Sequence, residues 1–393
     1  MTTADGSADP DGGAQRERPK WKKARLPELA SSTTADDALA DIVQGCVEHL
    51  RGNEQCLLER THEEGVHQMR VAVRRLRSCL ALYEGLIPAE QGTHITGELK
   101  WLIRELGPAR DWDVFVAEVL APVLKQMRDE DRLVTLAETV EGKRAAAYER
   151  AQAAVGSQRY VGLVLLLGAW AEGRGWRDAK APEAQARLQE NAQSIAHHLL
   201  DGIYDQLLSA AEGFETLDAE SRHKVRIHLK KLRYATEFFA SLYSRRRVTP
   251  YLAAMKSLQD ALGTSNDVEV ARKLLKQVIK PARGKERARI GYAAGLVVGW
   301  HSHVGDGREQ DLIRAWTAFA NRAPYWGARA TPAAGTAVHA AETPDAIDAP
   351  EAAEPKAAAS PSPSAEAPVV VGASPASVGP AAPPRRRRVV RHA

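Results

Sequence analysis

Through the middle of this chain apolar residues return every three or four positions, the period of a helix with one buried face. Leu39, Ile42, Val43, Cys46, Val47 and Leu50 keep that register behind Thr34, which has Asp37 three residues on as in a capping box, and they predict a helix over about 35–59. Met69, Val73, Leu76, Leu80 and Tyr83 predict a second helix over about 63–86, ended by Pro88. A third, about 92–106, is expected to stop at Gly107-Pro108, with Asp111 capping its successor. Helices over about 111–127 and 130–156 and the apolar run Tyr160–Ala171 complete a first set, and Gly173, Gly175 and Pro182 mark a break. Alternating strand patterns are absent, so the fold class is all-α.

After the break the pattern repeats. A shift of 156 residues lays His67 on His223, Arg70 on Arg226, Leu76 on Leu232, Arg77 on Arg233, Lys100 on Lys256, Gly107 on Gly263 and Asp111 on Asp267 without a gap. Arg74 and Arg75 fall on Lys230 and Lys231, and the apolar positions stay apolar. The chain is an internal duplication. Further on, Arg159, Leu166 and Trp170 match Arg289, Leu296 and Trp300 at a shift of 130, which implies that the second half lacks about 26 residues present near 125–150. The expected organisation is a disordered segment over 1–34, a folded domain over 35–325 made of halves 35–175 and 181–325, and a disordered Ala/Pro-rich arm over 326–393.

Charge changes this picture more by its placement than by its total. The net charge is only +4, yet four Arg and no acid lie between His67 and Arg77, six Lys or Arg and no acid between Arg222 and Arg233, and five Arg between Arg385 and Arg391. Those fifteen cations exceed the net charge, so the rest of the chain is net acidic. On a helical wheel His67, Arg70, Arg74 and Arg77 share a stripe about 80° wide and roughly 15 Å long, opposite the core face. Val71 and Leu82, like Ile227 and Phe238 in the second half, lie beyond the stripe and imply that packing flanks the cations on both sides. Cations held together between packed helices repel one another, a cost that a bound anion offsets.

Other chemistries find less support. His67 has Arg70 and Val71, and His223 has Arg226 and Ile227, where a metal site on a helix would place its second ligand. The histidines therefore read as structural residues or as phosphate contacts, and no metal or cofactor is expected. Asp111 and Asp267 read as helix caps, or as residues that orient an arginine of the stripe. Walker, GxSxG and HExxH motifs are missing, and no paired-carboxylate metal site is visible, so the chain is expected not to be an enzyme. Cys46, Cys56 and Cys79 form no CxxC pair and read as reduced packing residues. The longest apolar run is too short for a bilayer, which predicts a cytoplasmic protein with no membrane span.

His67-Gln68-Met69-Arg70-Val71-Ala72-Val73-Arg74-Arg75-Leu76-Arg77, followed by Leu99-Lys100-Trp101-Leu102 and Glu105-Leu106-Gly107-Pro108-Ala109-Arg110-Asp111, closely resembles the first half of the CHAD domain, the conserved histidine α-helical domain. His223-Lys224-Val225-Arg226 with Leu229-Lys230-Lys231-Leu232-Arg233, then Lys256 to Gly263 and Asn266-Asp267, is similar to its second half. The resemblance implies two four-helix-bundle-like halves related by a pseudo-two-fold axis, with basic helices facing a shared positive surface or pore. It also implies binding of inorganic polyphosphate and residence at polyphosphate granules. Carried over by position, the implied contacts are His67, Arg70, Arg74, Arg77, Lys100, Arg104, His223, Arg226, Lys230, Arg233 and Lys256, with Arg75 and Lys231 off the main stripe. Asp260 stands where Arg104 has its counterpart, which implies weaker binding in the second half. Nucleic acid is the alternative polyanion, although the first half lacks aromatics interleaved with its cations for base stacking.

Overall fold

Five helices begin at a side chain that accepts from a backbone N–H of the first turn, those of Thr34, Glu130, Ser157, Asn191 and Asp218. A computed structural model of the chain describes residues 18–178, 181–303 and 308–327, and side chains throughout these except at 264–269, 302, 303 and 308. Residues 1–17 and the expected arm from 328 onward, with its arginine tip, lie outside the described residues, as does the side chain of Asp267.

Helix α1 (Ala35–Arg51) starts at Thr34, whose hydroxyl oxygen accepts from the Asp37 N–H at 3.1 Å. It stops at Gly52, short of the expected end at 59, because the buried Asn53 side chain is committed elsewhere. Asn53 Oδ1 accepts from Lys22 N–H at 2.9 Å, and its Nδ2 donates to the carbonyls of Lys22 and His49 at 3.0 and 2.8 Å. A short helix α2 (Glu54–Leu58) follows, then the basic helix α3 (Glu64–Leu82). The same bonds correct the expectation of disorder over 1–34 for its described part. Residues 18–33 follow an extended course held by Asn53, by Thr61 donating to Pro19 O at 2.7 Å and by Leu29 N–H donating to Ser241 Oγ at 2.9 Å, with Pro27 and Leu29 buried.

Helix α4 (Ala89–Val114) runs on through Gly107-Pro108, where a break was expected, so Asp111 sits in the last turn of α4 and does not cap a new helix. Gly107 keeps a negative φ, and Pro108 forfeits the hydrogen bond back to Arg104 O. The break costs about 3 kcal/mol, whereas Leu99, Leu102, Leu106, Ala109 and Trp112 on this helix are buried, each large side chain contributing about 1.5–3 kcal/mol. Packing outweighs the proline. A π-helical segment (Phe115–Leu120) re-aims the chain into α5 (Ala121–Gln126). Then come α6 (Asp131–Val155), α7 (Gln158–Glu172) and α8 (Pro182–Leu188). The second half is α9 (Ala192–Ala210), the basic helix α10 (Ala219–Phe239), α11 (Arg245–Ile279), α12 (Gly284–His303) and α13 (Arg308–Ala320).

Each half thus offers five main helices in one order, α1, α3, α4, α6, α7 and α9, α10, α11, α12, α13. Three pairs of counterparts pack on each other, α3 with α10, α6 with α12 and α1 with α9, as helices beside a pseudo-two-fold axis must. A single bridge between Thr34 and Asn191 joins the starts of α1 and α9, with Ala35 N–H donating to Glu190 O and Ala192 N–H to Thr33 O. This order overturns the match at a shift of 130. That match pairs α7 with α12, but α12 takes the place of α6, and the segment thought missing has a counterpart. Among the described residues there is no strand, and no helix is long and apolar enough to cross a membrane.

One hydrophobic core spans both halves. Cys46 and Cys79 are buried in it as free thiols, and Cys56 is a buried free thiol that accepts from the Thr61 hydroxyl at 3.2 Å. Tyr251, Phe319, Tyr325 and Trp326 close the second half, and Trp326 Nε1 donates to Asp201 Oδ1 at 2.7 Å, which carries the folded domain one residue beyond the expected 325.

Candidate functional site

The stripe on α3 is not a solvated face. His67, Arg70, Arg74 and Arg77 are 4%, 2%, 5% and 6% exposed, because α4 lies against one flank of α3 while α1 and α10 pack on it as well. Gly107 allows this closeness. A Cβ there would stand 3.0 Å from Arg70 Nη1, so any larger residue on α4 would press on the guanidinium. One turn on, Asp111 Oδ1 lies 3.6 Å from the same nitrogen.

Arg110, next to Asp111 on α4, is as buried as the stripe at 3% exposed. The nest therefore joins residues from two helices. Burial raises the Asp111 carboxyl above its ordinary range, and Arg70, Arg110 and Arg74 act against that rise. His67 is pushed down to about 2, first by burial and then by the positive charge of Arg110, Arg74, Arg70 and His49, so its ring is neutral at physiological pH. Within the nest Arg70 Nε and Nη1, Arg110 Nε and Nη2 and His67 Nδ1 are buried without a hydrogen-bond partner among the described residues. Buried donors left so cost free energy that an acceptor of opposite charge would offset.

On α4, Lys100 is half-buried and Arg104 exposed, leading outward from the nest. On α10, Arg226 and Lys230 are buried, whereas His223, Lys231 and Arg233 are half-buried, and Lys256 on α11 is exposed. Arg75 turns away from the stripe. It forms an ion pair with Glu237 of α10, and its guanidinium lies 4.9 Å over the Phe238 ring. Glu237 is also 3.6 Å from Arg233 Nη1. Arg75 thus ties the two halves together, and of the sequence-derived set it is the residue whose geometry best suits an interface role.

A CHAD domain family model matches residues 41–276. The chain belongs to the CHAD family. The fold of this CHAD domain is similar to the crystal structure of the CHAD domain from the plant Ricinus communis, with a TM-score of 0.64 and 31% identity, covering 76% of this chain and 96% of that one. PptA from Streptomyces chartreusis, 18% identical with a TM-score of 0.53 over 72% of this chain and all of that one, shares the fold. Two uncharacterized proteins of Mycobacterium tuberculosis, from strains CDC 1551 / Oshkosh and H37Rv, are each 28% identical over 231 residues, which is 55% of this chain. The chain spans 41% of the length of those relatives.

Arg110 is the residue of this CHAD domain that reasoning from the duplication misses. Its counterpart at the same shift is Asn266, so a search for cations repeated in both halves passes over it. The available signal is its place beside Asp111, on the helix whose Gly107 admits Arg70. Among the described residues no group of three or more His, Cys, Asp or Glu side chains is placed to hold an ion.

Proposed function

We propose that this chain binds inorganic polyphosphate without transforming it, through α3 and α10 and the adjoining faces of α4 and α11, and is thereby retained at polyphosphate granules. The observation that carries this reading is the burial of Arg70 and Arg110 beside Asp111, with Arg70 Nε and Nη1 and Arg110 Nε and Nη2 lacking a hydrogen-bond acceptor among the described residues. A long polyanion suits it because the cations continue outward along α4 and recur on α10, so many phosphoryl groups are met in succession. Guanidinium forks pair with phosphate oxygens, and counterions released from the chain supply free energy. Nucleic acid suits the geometry less well. Trp112, on α4 beside the nest, is 2% exposed and packed edge-on against Phe115 at 5.6 Å, so it offers no face to a base.

The test is a titration of long-chain polyphosphate into the wild type and into a variant carrying both Arg70→Met and Arg226→Met. Methionine fills the space and relieves repulsion between buried cations, so helicity should be retained. Loss of binding by the folded variant supports the reading. Unchanged affinity would sink it, and displacement of polyphosphate by duplex DNA at equal phosphate concentration would move the reading to nucleic acid.

A further inference from the structure

Helix α7 turns apolar side chains outward. Leu165 and Val161 are 67% and 52% exposed, and Gly162 and Ala169 lie beside them on the surface. The fold itself does not ask for this. Helix α13, which holds the place of α7 in the second half, exposes Glu309, Gln310, Asp311, Arg314 and Thr317 instead. A half of the domain can therefore close with a polar outer helix, and an apolar face in that position marks a surface that another molecule covers.

The face is complementary to itself about Leu165. At 100° per residue, Gln158, Val161, Gly162, Gly168, Ala169 and Glu172 all lie within about 60° of Leu165. They stand in pairs at equal distances before and after it along the helix: Gly162 with Gly168, Val161 with Ala169, and Gln158 with Glu172. When two copies of α7 run antiparallel across a two-fold axis at Leu165, Val161 of each copy meets Gly168 and Ala169 of the other. Large side chains then stand over small ones. A Cβ at Gly162 or Gly168 would have nothing within 4 Å in this chain, so both glycines leave open space for side chains of the second copy.

Charge agrees with shape. The exposed Glu172 ends α7. At the other end lie Gln158 and Arg51, the exposed last residue of α1, whose charge acts on Tyr160 in the first turn of α7. The remaining ions at the two ends are engaged within the chain: Arg159 with Glu98, Arg174 with Asp36 and Asp37, and Glu54 with the Tyr160 hydroxyl. An antiparallel pair sets Glu172 of each copy against Gln158 and Arg51 of the other. A parallel pair would set like charge against like, so charge selects the arrangement that the Val161 and Gly168 spacing requires.

We propose that the outer face of α7 is a docking surface for a second copy of this chain, and that the two form an isologous dimer in which Leu165 packs on Leu165 and Glu172 pairs with Arg51 across the two-fold axis.

Sedimentation velocity on the full chain over a concentration series, with no polyanion present, tests this independently of the polyphosphate reading. A monomer–dimer equilibrium is expected. Leu165→Glu sets two like charges against each other at the centre of the contact and should raise the dimer dissociation constant about tenfold or more. The position is exposed in the monomer, so helicity should match wild type. Arg51→Glu and Glu172→Arg should each weaken the dimer about fivefold, and the double variant should restore it. A wild type that stays monomeric throughout overturns the proposal, and a dimer indifferent to Leu165→Glu does so by placing the contact elsewhere. Failure of the double variant to restore association overturns the antiparallel pairing. Should Leu165→Glu not fold, the charge exchange decides.

Discussion

Gly107→Ala separates the two demands made on α4. A glycine-to-alanine change inside a helix is ordinarily favourable by about 1 kcal/mol, since glycine has more backbone freedom to lose. Here the new methyl group would stand 3.0 Å from Arg70 Nη1, the far end of a long side chain. A guanidinium can yield by a few tenths of an ångström where backbone could not, so the fold should tolerate the change. The displaced Arg70 should not serve an anion as well. A hydrogen bond to a charged group contributes about 1.5–3 kcal/mol, and partial loss of one such bond, about 1 kcal/mol, corresponds to roughly fivefold weaker binding. Urea unfolding and a polyphosphate titration on the same variant test both halves of the argument. Stability equal to or slightly above wild type, with affinity several-fold lower, is expected. A loss of about 2 kcal/mol or more of stability, or an unchanged affinity, would refute the account of why α4 carries glycine here.

Acid should destabilise the domain through its histidines. His67 is held down to about 2 and His49 and His228 to about 4, chiefly by burial, so the unfolded chain takes up protons before the folded one does. The stability secured by their neutral forms is complete above the ordinary histidine range and is lost as pH falls from about 6.5 toward those values. At pH 5 the loss from His67 alone is about 2 kcal/mol, and His67→Gln should flatten the stability profile between pH 6.5 and 5 by that amount; an unaltered profile would show that the ring is not buried neutral. Glu237→Gln leaves Arg75 buried between α3 and α10 without its carboxylate, and thermal unfolding should reveal a loss of about 3 kcal/mol, while a loss below about 0.5 kcal/mol would argue against a buried interface pair. Asn53→Ala removes three hydrogen bonds that hold Lys22 and His49; faster amide exchange at Lys22 and new tryptic cleavage between Lys20 and Arg25 should follow, and protection equal to wild type would mean that residues 18–33 are held by other contacts.

Much of the architecture was legible because caps and apolar periods are local. Thr34 and the stripe behind it place α1, and the repeated spacing of His67 to Arg77 and His223 to Arg233 places the two basic helices and the duplication. The failures share a physical cause, which is tertiary packing overriding a local signal. Gly107-Pro108 reads as a stop, yet the buried leucines around it carry α4 onward. Residues 18–33 read as disordered by composition, but their course is fixed by one asparagine 31 positions away from Lys22 and by a serine on the other half. The match at a shift of 130 was a local coincidence that helix order removes.

The candidate site was legible in kind and incomplete in membership. Type, spacing and recurrence single out Arg70, Arg74 and Arg226, and these prove buried. Recurrence also hides Arg110, which has no counterpart, and it cannot tell that Arg75 turns toward Glu237. Burial and side-chain direction decide those cases, and neither follows from a helical wheel when α3 is packed on several sides.

The most direct measurement of the central claim is the affinity for long-chain polyphosphate as a function of salt. If α3, α4, α10 and α11 act as one cationic track, the logarithm of the binding constant should fall linearly with the logarithm of salt concentration, with a slope of about −4 to −7, since each cation engaged contributes about −0.7 on a single-stranded polyanion. Neutralising Lys230 should reduce the slope by about 0.7. A slope near zero, or one that the loss of Lys230 and Arg226 together does not change, would contradict the account.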